Sequence, residues 1–133
     1  MKIPADIFRQ MVEQAREATP IEACGILAGS HGKVEKLYKM TNADNRNDHF
    51  MMVPKEQFRV VKDIRSTGLE MLAIYHSHPE TPARPSAEDI RLALTPDVTY
   101  VIVSIQDDNC PVAKGFLMEN GNVTDVPVKI VEQ

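Results

Sequence analysis

The segment IYHSHPETPARPSAED, residues 74–89, ends an apolar run in two histidines one residue apart, His76 and His78. Three prolines follow, Pro79, Pro82 and Pro85, and then Ser86 and Asp89. Successive strand residues point to opposite faces, so His76 and His78 project together and Ser77 points away. Two imidazoles on one face at a strand end make a metal pincer. The plainer alternative is a pair of polar residues at a strand–loop junction, because short motifs also arise by chance. Ser86 and Asp89 have the spacing of a capping box, with Ser86 as N-cap and Asp89 at the third helical position. That role alone would account for both residues. Each proline, however, locks its own φ, and such a stiff loop can fold the helix start back over the strand end. Asp89 would then join His76 and His78 as a third ligand. Three protein ligands and one open position are the pattern of a catalytic zinc site.

Outward from this segment, the chain reads as one mixed α/β domain over residues 1–133. Residues 4–18 carry Ile7, Met11, Val12 and Ala15 at helical spacing, with Pro4 in the first turn and Pro20 as a stop. Residues 22–30, EACGILAGS, are a short buried strand, and 34–42 return as a second strand after a turn at SHGK. Residues 43–49 form a polar loop, and FMMV is a short strand before Pro54. A second helix spans Pro54 to Ser66, closed by Gly68. Residues 70–77 form the strand that leads into the histidines. A third helix covers Ser86 to Leu94. VTYVIVSI, 98–105, is β-branched and strand-forming. Residues 111–119 and 122–131 pair as a hairpin with Gly121 in its turn. This order of elements gives a mixed sheet with helices packed against it.

A metal-activated water needs a base from elsewhere in the chain. Glu22 opens an apolar strand, where a carboxylate belongs only if it is exposed at the strand end or serves a site. Cys24, in the same run, reads as a small buried hydrophobe rather than a nucleophile. Cys24 and Cys110 form no C-x-x-C pair, so neither a thiolate zinc site nor a disulfide framework is indicated. His31 and His49 read as surface residues, and Asp107 and Asp108 as loop acids.

The composition excludes several functions. With 15 basic and 19 acidic residues the formal net charge is −4, and the basic residues are scattered, which argues against nucleic acid as a partner. Hydrophobic residues make up 43%, enough for a folded core. No apolar run approaches the ~20 residues of a membrane span, and the N-terminus lacks an apolar signal core. The expected location is the cytoplasm.

The string His76-Ser77-His78-Pro79, six residues, then Ser86-x-x-Asp89, with Glu22 upstream in PIEACG, resembles the JAMM (MPN+) metalloprotease signature. The EACG element and the P-A-x-P-S stretch look most like its small bacterial members. The resemblance implies a cytidine-deaminase-like α/β fold with a mixed central sheet, flanking helices and a zinc (Zn2+) site at the strand ends. It implies His76, His78 and Asp89 as metal ligands, Glu22 as general base and acid, and Ser86 as an oxyanion donor. It further implies peptidase or isopeptidase activity at the Gly-Gly tail of a ubiquitin-like protein. The chain leaves little space for the insertions that eukaryotic members use to clamp ubiquitin, so the expected partner is a ubiquitin-like sulfur carrier. Three alternatives remain open at this point. A non-catalytic scaffold domain of the same fold would usually have lost a motif residue. A RadC-like member, linked to DNA metabolism, is disfavoured by Glu80-Thr81 after Pro79 and by the acidic balance. A zinc hydrolase acting on a small-molecule amide is the third.

Overall fold

A computed structural model describes residues 1–44 and 49–132 of the chain. Eight strands form one sheet in the order β7-β6-β5-β4-β2-β3-β1-β8. They are β1 (Lys2–Pro4), β2 (Cys24–Ser30), β3 (Lys33–Met40), β4 (Glu70–His78), β5 (Thr99–Ser104), β6 (Val112–Glu119), β7 (Asn122–Val126) and β8 (Lys129–Val131). Three helices accompany them: α1 (Ala5–Ala18), α2 (Pro54–Thr67) and α3 (Ala87–Arg91). The central strand β4 pairs antiparallel with β2 and parallel with β5, so the sheet is mixed as expected.

β7 and β8 lie at opposite ends of the strand order, yet only Pro127 and Val128 separate them in sequence. The sheet therefore curls until its two ends approach each other. The N-terminal ammonium of Met1 donates to the Pro127 carbonyl at 2.9 Å, and the Lys129 N–H donates to the Met1 carbonyl at 2.9 Å. α1 packs on one face of the sheet, where Ile7, Met11, Val12 and Ala15 meet Leu27, Tyr75, Val101 and Val103. The other face carries Cys24, Ile26, Ile74, Tyr100 and Ile102, packed with Ile64 of α2 and Ile90 of α3. Gln14 on α1 ties its face down by donating to the Cys24 carbonyl at 3.0 Å and accepting from the Tyr75 hydroxyl at 2.5 Å.

Four local expectations are corrected. β1 is a strand that the sequence does not announce, because three residues carry no detectable period. The run 122–131 is not one strand. It breaks at Pro127, which has no N–H to give a ladder, and the remainder crosses to pair with β1 as β8. FMMV is not a strand, since an isolated bridge between Asn42 and Met52 is all that pairs there. α3 stops at Arg91, with Leu92 as its C-cap, rather than at Leu94. The polar loop expected over 43–49 lies at 45–48 outside the described residues. Among the described residues no helix is long and apolar enough to cross a membrane.

Close packing at the sheet centre fixes the identity of Gly25. A Cβ there would sit 2.3 Å from both Cε2 and the hydroxyl of Tyr75 and 2.4 Å from the Tyr38 carbonyl oxygen. Tyr75 is itself fully buried and cannot swing away. Gly25→Ala should therefore cost at least about 1–3 kcal/mol. Urea unfolding should show a lower midpoint with an unchanged slope.

Candidate metal centre

β4 delivers His76 and His78 to the face opposite Tyr75 and Ser77, as strand alternation requires. All the polar groups involved are enclosed: Glu22, His76, His78 and Asp89 are each no more than 6% exposed. The Nε2 atoms of the two histidines lie 3.2 Å apart. Asp89 places Oδ1 at 3.2 Å from His76 Nε2 and Oδ2 at 3.0 Å from His78 Nε2. A carboxylate oxygen of Glu22 lies within 4.8 Å of both imidazoles. The structure thus brings together four of the five polar residues singled out from the sequence.

The fifth, Ser86, is the N-cap of α3. Its Oγ accepts from the Asp89 N–H at 3.0 Å, and its own N–H donates to Asp89 Oδ2 at 3.0 Å. Capping and metal-ligand geometry are therefore not rival readings. The capping box is what turns the Asp89 carboxylate toward the histidines. Ser86 Oγ uses its acceptor capacity on the cap, and its O–H proton remains a donor.

The donor set fits a cation. His78 Nδ1 lies 2.8 Å from the Pro82 carbonyl oxygen, which only accepts, so Nδ1 carries the proton. In neutral His78 the Nε2 lone pair then faces an Asp89 oxygen and His76 Nε2, three electron-rich atoms around one point. A proton or a metal ion must lie among them. A backbone carbonyl holding the far nitrogen of a histidine is also the usual support for a metal-ligating imidazole. Tetrahedral bonds of about 2.0–2.1 Å separate ligand atoms by roughly 3.3–3.4 Å, near the spacings found. Nitrogen and carboxylate oxygen donors are those a first-row divalent metal such as zinc takes.

The charges respond accordingly. Burial lowers the His76 pKa by more than Asp89 restores. Burial lowers His78 as well, but Asp89 and the Pro82 carbonyl outweigh it and leave that imidazole above its usual value. Burial works to raise Asp89, yet hydrogen bonds from His76, His78 and the Ser86 N–H hold it well below the usual carboxylate range.

Several supports were not singled out in the sequence. Ser77, between the histidines, accepts from the Ala23 N–H through Oγ at 2.8 Å and donates its own N–H to the Ala23 carbonyl at 2.9 Å. These two bonds fix the backbone next to Glu22. Asn42 donates to the Glu22 carbonyl at 3.0 Å and to the His49 carbonyl at 3.3 Å, while its Oδ1 accepts from the Asp44 and Met51 N–H groups. Ser104 Oγ donates to the Thr81 carbonyl at 2.6 Å and anchors the proline loop. Phe50 stacks on His76 with ring centroids 4.8 Å apart. The polar stretch around Asn42 carried the one visible signal, an Asx-type side chain in a turn.

The same geometry defines a class, a helix-capped His/His/Asp centre on the central strand of a mixed α/β sheet. Residues 4–114 match the family model for prokaryotic homologs of the JAB domain, and the chain belongs to that family. It is 38% identical over 133 residues to the CysO-cysteine peptidase of Mycobacterium tuberculosis, covering 98% of this chain and 91% of that one. It is 32% identical over 111 residues to the desampylase of Haloferax volcanii, covering 78% and 80%. A solution structure of a Desulfitobacterium hafniense protein superposes with a TM-score of 0.90 at 41% identity, over 100% of this chain and 94% of that one. A JAB1/MPN domain protein from Archaeoglobus fulgidus shares the fold, with a TM-score of 0.66 at 24% identity over 99% and 100%. The JAMM/MPN fold expected from the motif is the fold found.

Cys24 lies beside this centre, paired in register with His76. Burial, with Glu56 and Glu22 adding to it, pushes its thiol up to about 12. A fully buried thiol held in its neutral form is a poor nucleophile, and Cys24 is outside the ligand group of Glu22, His76 and His78, so the small-hydrophobe reading holds. Cys110 is exposed. Iodoacetamide at pH 8 should therefore alkylate Cys110 and spare Cys24, which peptide mass mapping would read. Asn42→Ala should leave the fold intact but loosen the segment that carries Glu22. The expected result is a loss of stability of about 1 kcal/mol by thermal melt, from partly buried backbone carbonyls that lose their side-chain donor.

Proposed function

We propose that this chain is a zinc-dependent peptidase that hydrolyses the amide bond after the C-terminal Gly-Gly of a ubiquitin-like sulfur-carrier protein. The observation that carries the reading is the convergence of His76, His78 and Asp89 on one point with the Glu22 carboxylate beside it. The names of the mycobacterial and haloarchaeal relatives support the substrate class.

In this reading His76, His78 and Asp89 hold the zinc ion. When bound, zinc supplies a Lewis acid for the scissile carbonyl and lowers the pKa of water to about 7. The Glu22 carboxylate takes a proton from the attacking water and passes it to the departing amine, the work of a general base and then a general acid. Its carboxylate lies within 4.8 Å of both imidazoles, near enough to serve a water held between them. The O–H of Ser86 donates to the oxyanion while its acceptor side stays on the Asp89 N–H. Asp89 keeps its charge because the helix cap and both histidines favour the ionised form. A Gly-Gly tail suits the enclosed site, because glycine lets the backbone approach the reacting centre closely. An extended tail of this kind is held by main-chain hydrogen bonds, with pockets supplying specificity.

Purified protein should contain one zinc per chain, and His78→Ala should fall well below that stoichiometry. Retention of full zinc by the variant would remove His78 from the ligand set. Glu22→Gln should keep zinc and fold but lose roughly 10²–10⁴-fold in rate. The assay is mass spectrometry of a sulfur carrier extended beyond Gly-Gly and incubated with zinc-loaded protein. Release of the extension by the native chain, absent with Glu22→Gln, is the expected outcome. Clean hydrolysis of an unrelated small amide with every carrier intact would overturn the reading. Ser86→Ala should both lower the melting temperature and cut kcat by roughly 10²–10³-fold, since one residue serves cap and oxyanion.

A further inference from the structure

A cavity of about 250 Å³ opens directly beside the metal centre, with His76 and Asp89 in its wall. The rest of its lining is largely apolar, contributed by Phe50, Met52, Leu94, Tyr100 and Met118 among others. It is smaller than the roughly 300–1,000 Å³ that hold a whole drug-sized ligand, and is of a size for one side chain. Its rim keeps large apolar groups in water: Leu94 is 81% exposed and Met51 is 55% exposed. Among the described residues its titratable lining is Asp89, His76 and His49, the last with Nδ1 3.0 Å from Asp44 Oδ2.

We infer that this cavity receives the side chain of the residue released from the carrier, and that it selects an apolar one. The inference rests on the peptidase reading above. A Gly-Gly tail brings no side chain on the acyl side of the scissile bond. In an extended chain the residue before Gly-Gly lies about 7 Å further back. The first side chain able to reach a cavity walled by His76 and Asp89 therefore belongs to the leaving residue. Thioether and aromatic walls accept an apolar side chain, and methionines adapt to its shape. A charged side chain would give up its hydration there against a largely apolar wall whose polar groups are few. The pocket thus sets which appended residue departs, while Gly-Gly sets where the bond is cut.

The test uses carriers ending in Gly-Gly-X, with X methionine, leucine, serine, aspartate or lysine, and a second set varied at the residue before Gly-Gly. Rates with zinc-loaded protein are read as kcat/KM by mass spectrometry. Methionine and leucine at X should exceed aspartate and lysine by at least about tenfold. Leu94→Asp, at the exposed rim, should erase that advantage and favour lysine. In parallel, Glu22→Gln protein labelled at its methionine methyls is titrated with a Gly-Gly-Met peptide and followed by NMR. Met52 and Met118 should shift, and Met11, on the opposite face of the sheet, should not. Equal rates for every X, with Met52 and Met118 unmoved, overturn the pocket and leave the peptidase reading standing. A preference that follows the residue before Gly-Gly instead of X assigns the cavity to the acyl side and also overturns the inference. If no carrier is cleaved, the peptidase reading fails, and the methyl titration decides alone whether the cavity binds an apolar side chain.

Discussion

Everything at the site depends on how the start of β2 is bound to the end of β4. The two strands run antiparallel with Cys24 opposite His76, and beyond that pair Ser77 grips Ala23 through both its hydroxyl and its backbone N–H. Strand alternation sends Ser77 to one face because it sends His76 and His78 to the other. The serine between the two histidines therefore has a definite task. It fixes the backbone from which Glu22 emerges, at the level where the histidines emerge from β4. Without that register, an acid so far away in sequence would have no defined position relative to the imidazoles.

The second constraint is a helix start used twice. α3 has only five residues, too short to be stable by propensity, and its capping box supplies much of its local order. The box closes on the same Asp89 oxygen that faces His78. The carboxylate is thereby aimed and kept ionised by one set of bonds. Ser104 and the Pro82 carbonyl hold the intervening loop and the far nitrogen of His78. Burial raises the cost of any charge here, and for Asp89 the Ser86 N–H and both imidazoles offset that cost together.

The curl of the sheet sets the surroundings. Because β7 and β8 are joined by two residues and sit at opposite ends of the strand order, the sheet must bend back on itself around α1. The face that carries the site is the other one, covered by the short α3, by α2 and by the segment from His49 to Met52. Thin cover leaves an opening beside His76, whereas the α1 side is packed closely enough that Gly25 has no space for a methyl group.

The sequence by itself determined which residues are candidates for the site. His-x-His on a strand, Ser-x-x-Asp at a helix start and an acid opening an apolar strand were all legible, because each is a local pattern whose geometry follows from a period of 2 or from the first turn of a helix. The mixed sheet and the longer helices were legible for the same reason. What the tertiary structure decided was everything that depends on distant pairing. β1 and β8 are three-residue strands that exist only because they find each other and β3. FMMV has strand composition but no neighbour to pair with beyond a single bridge. Glu22 had no distance to the histidines until Ser77 and Asn42 fixed its backbone. Local sequence encodes which face a side chain takes, whereas hydrogen bonds between residues far apart in the chain decide which faces meet.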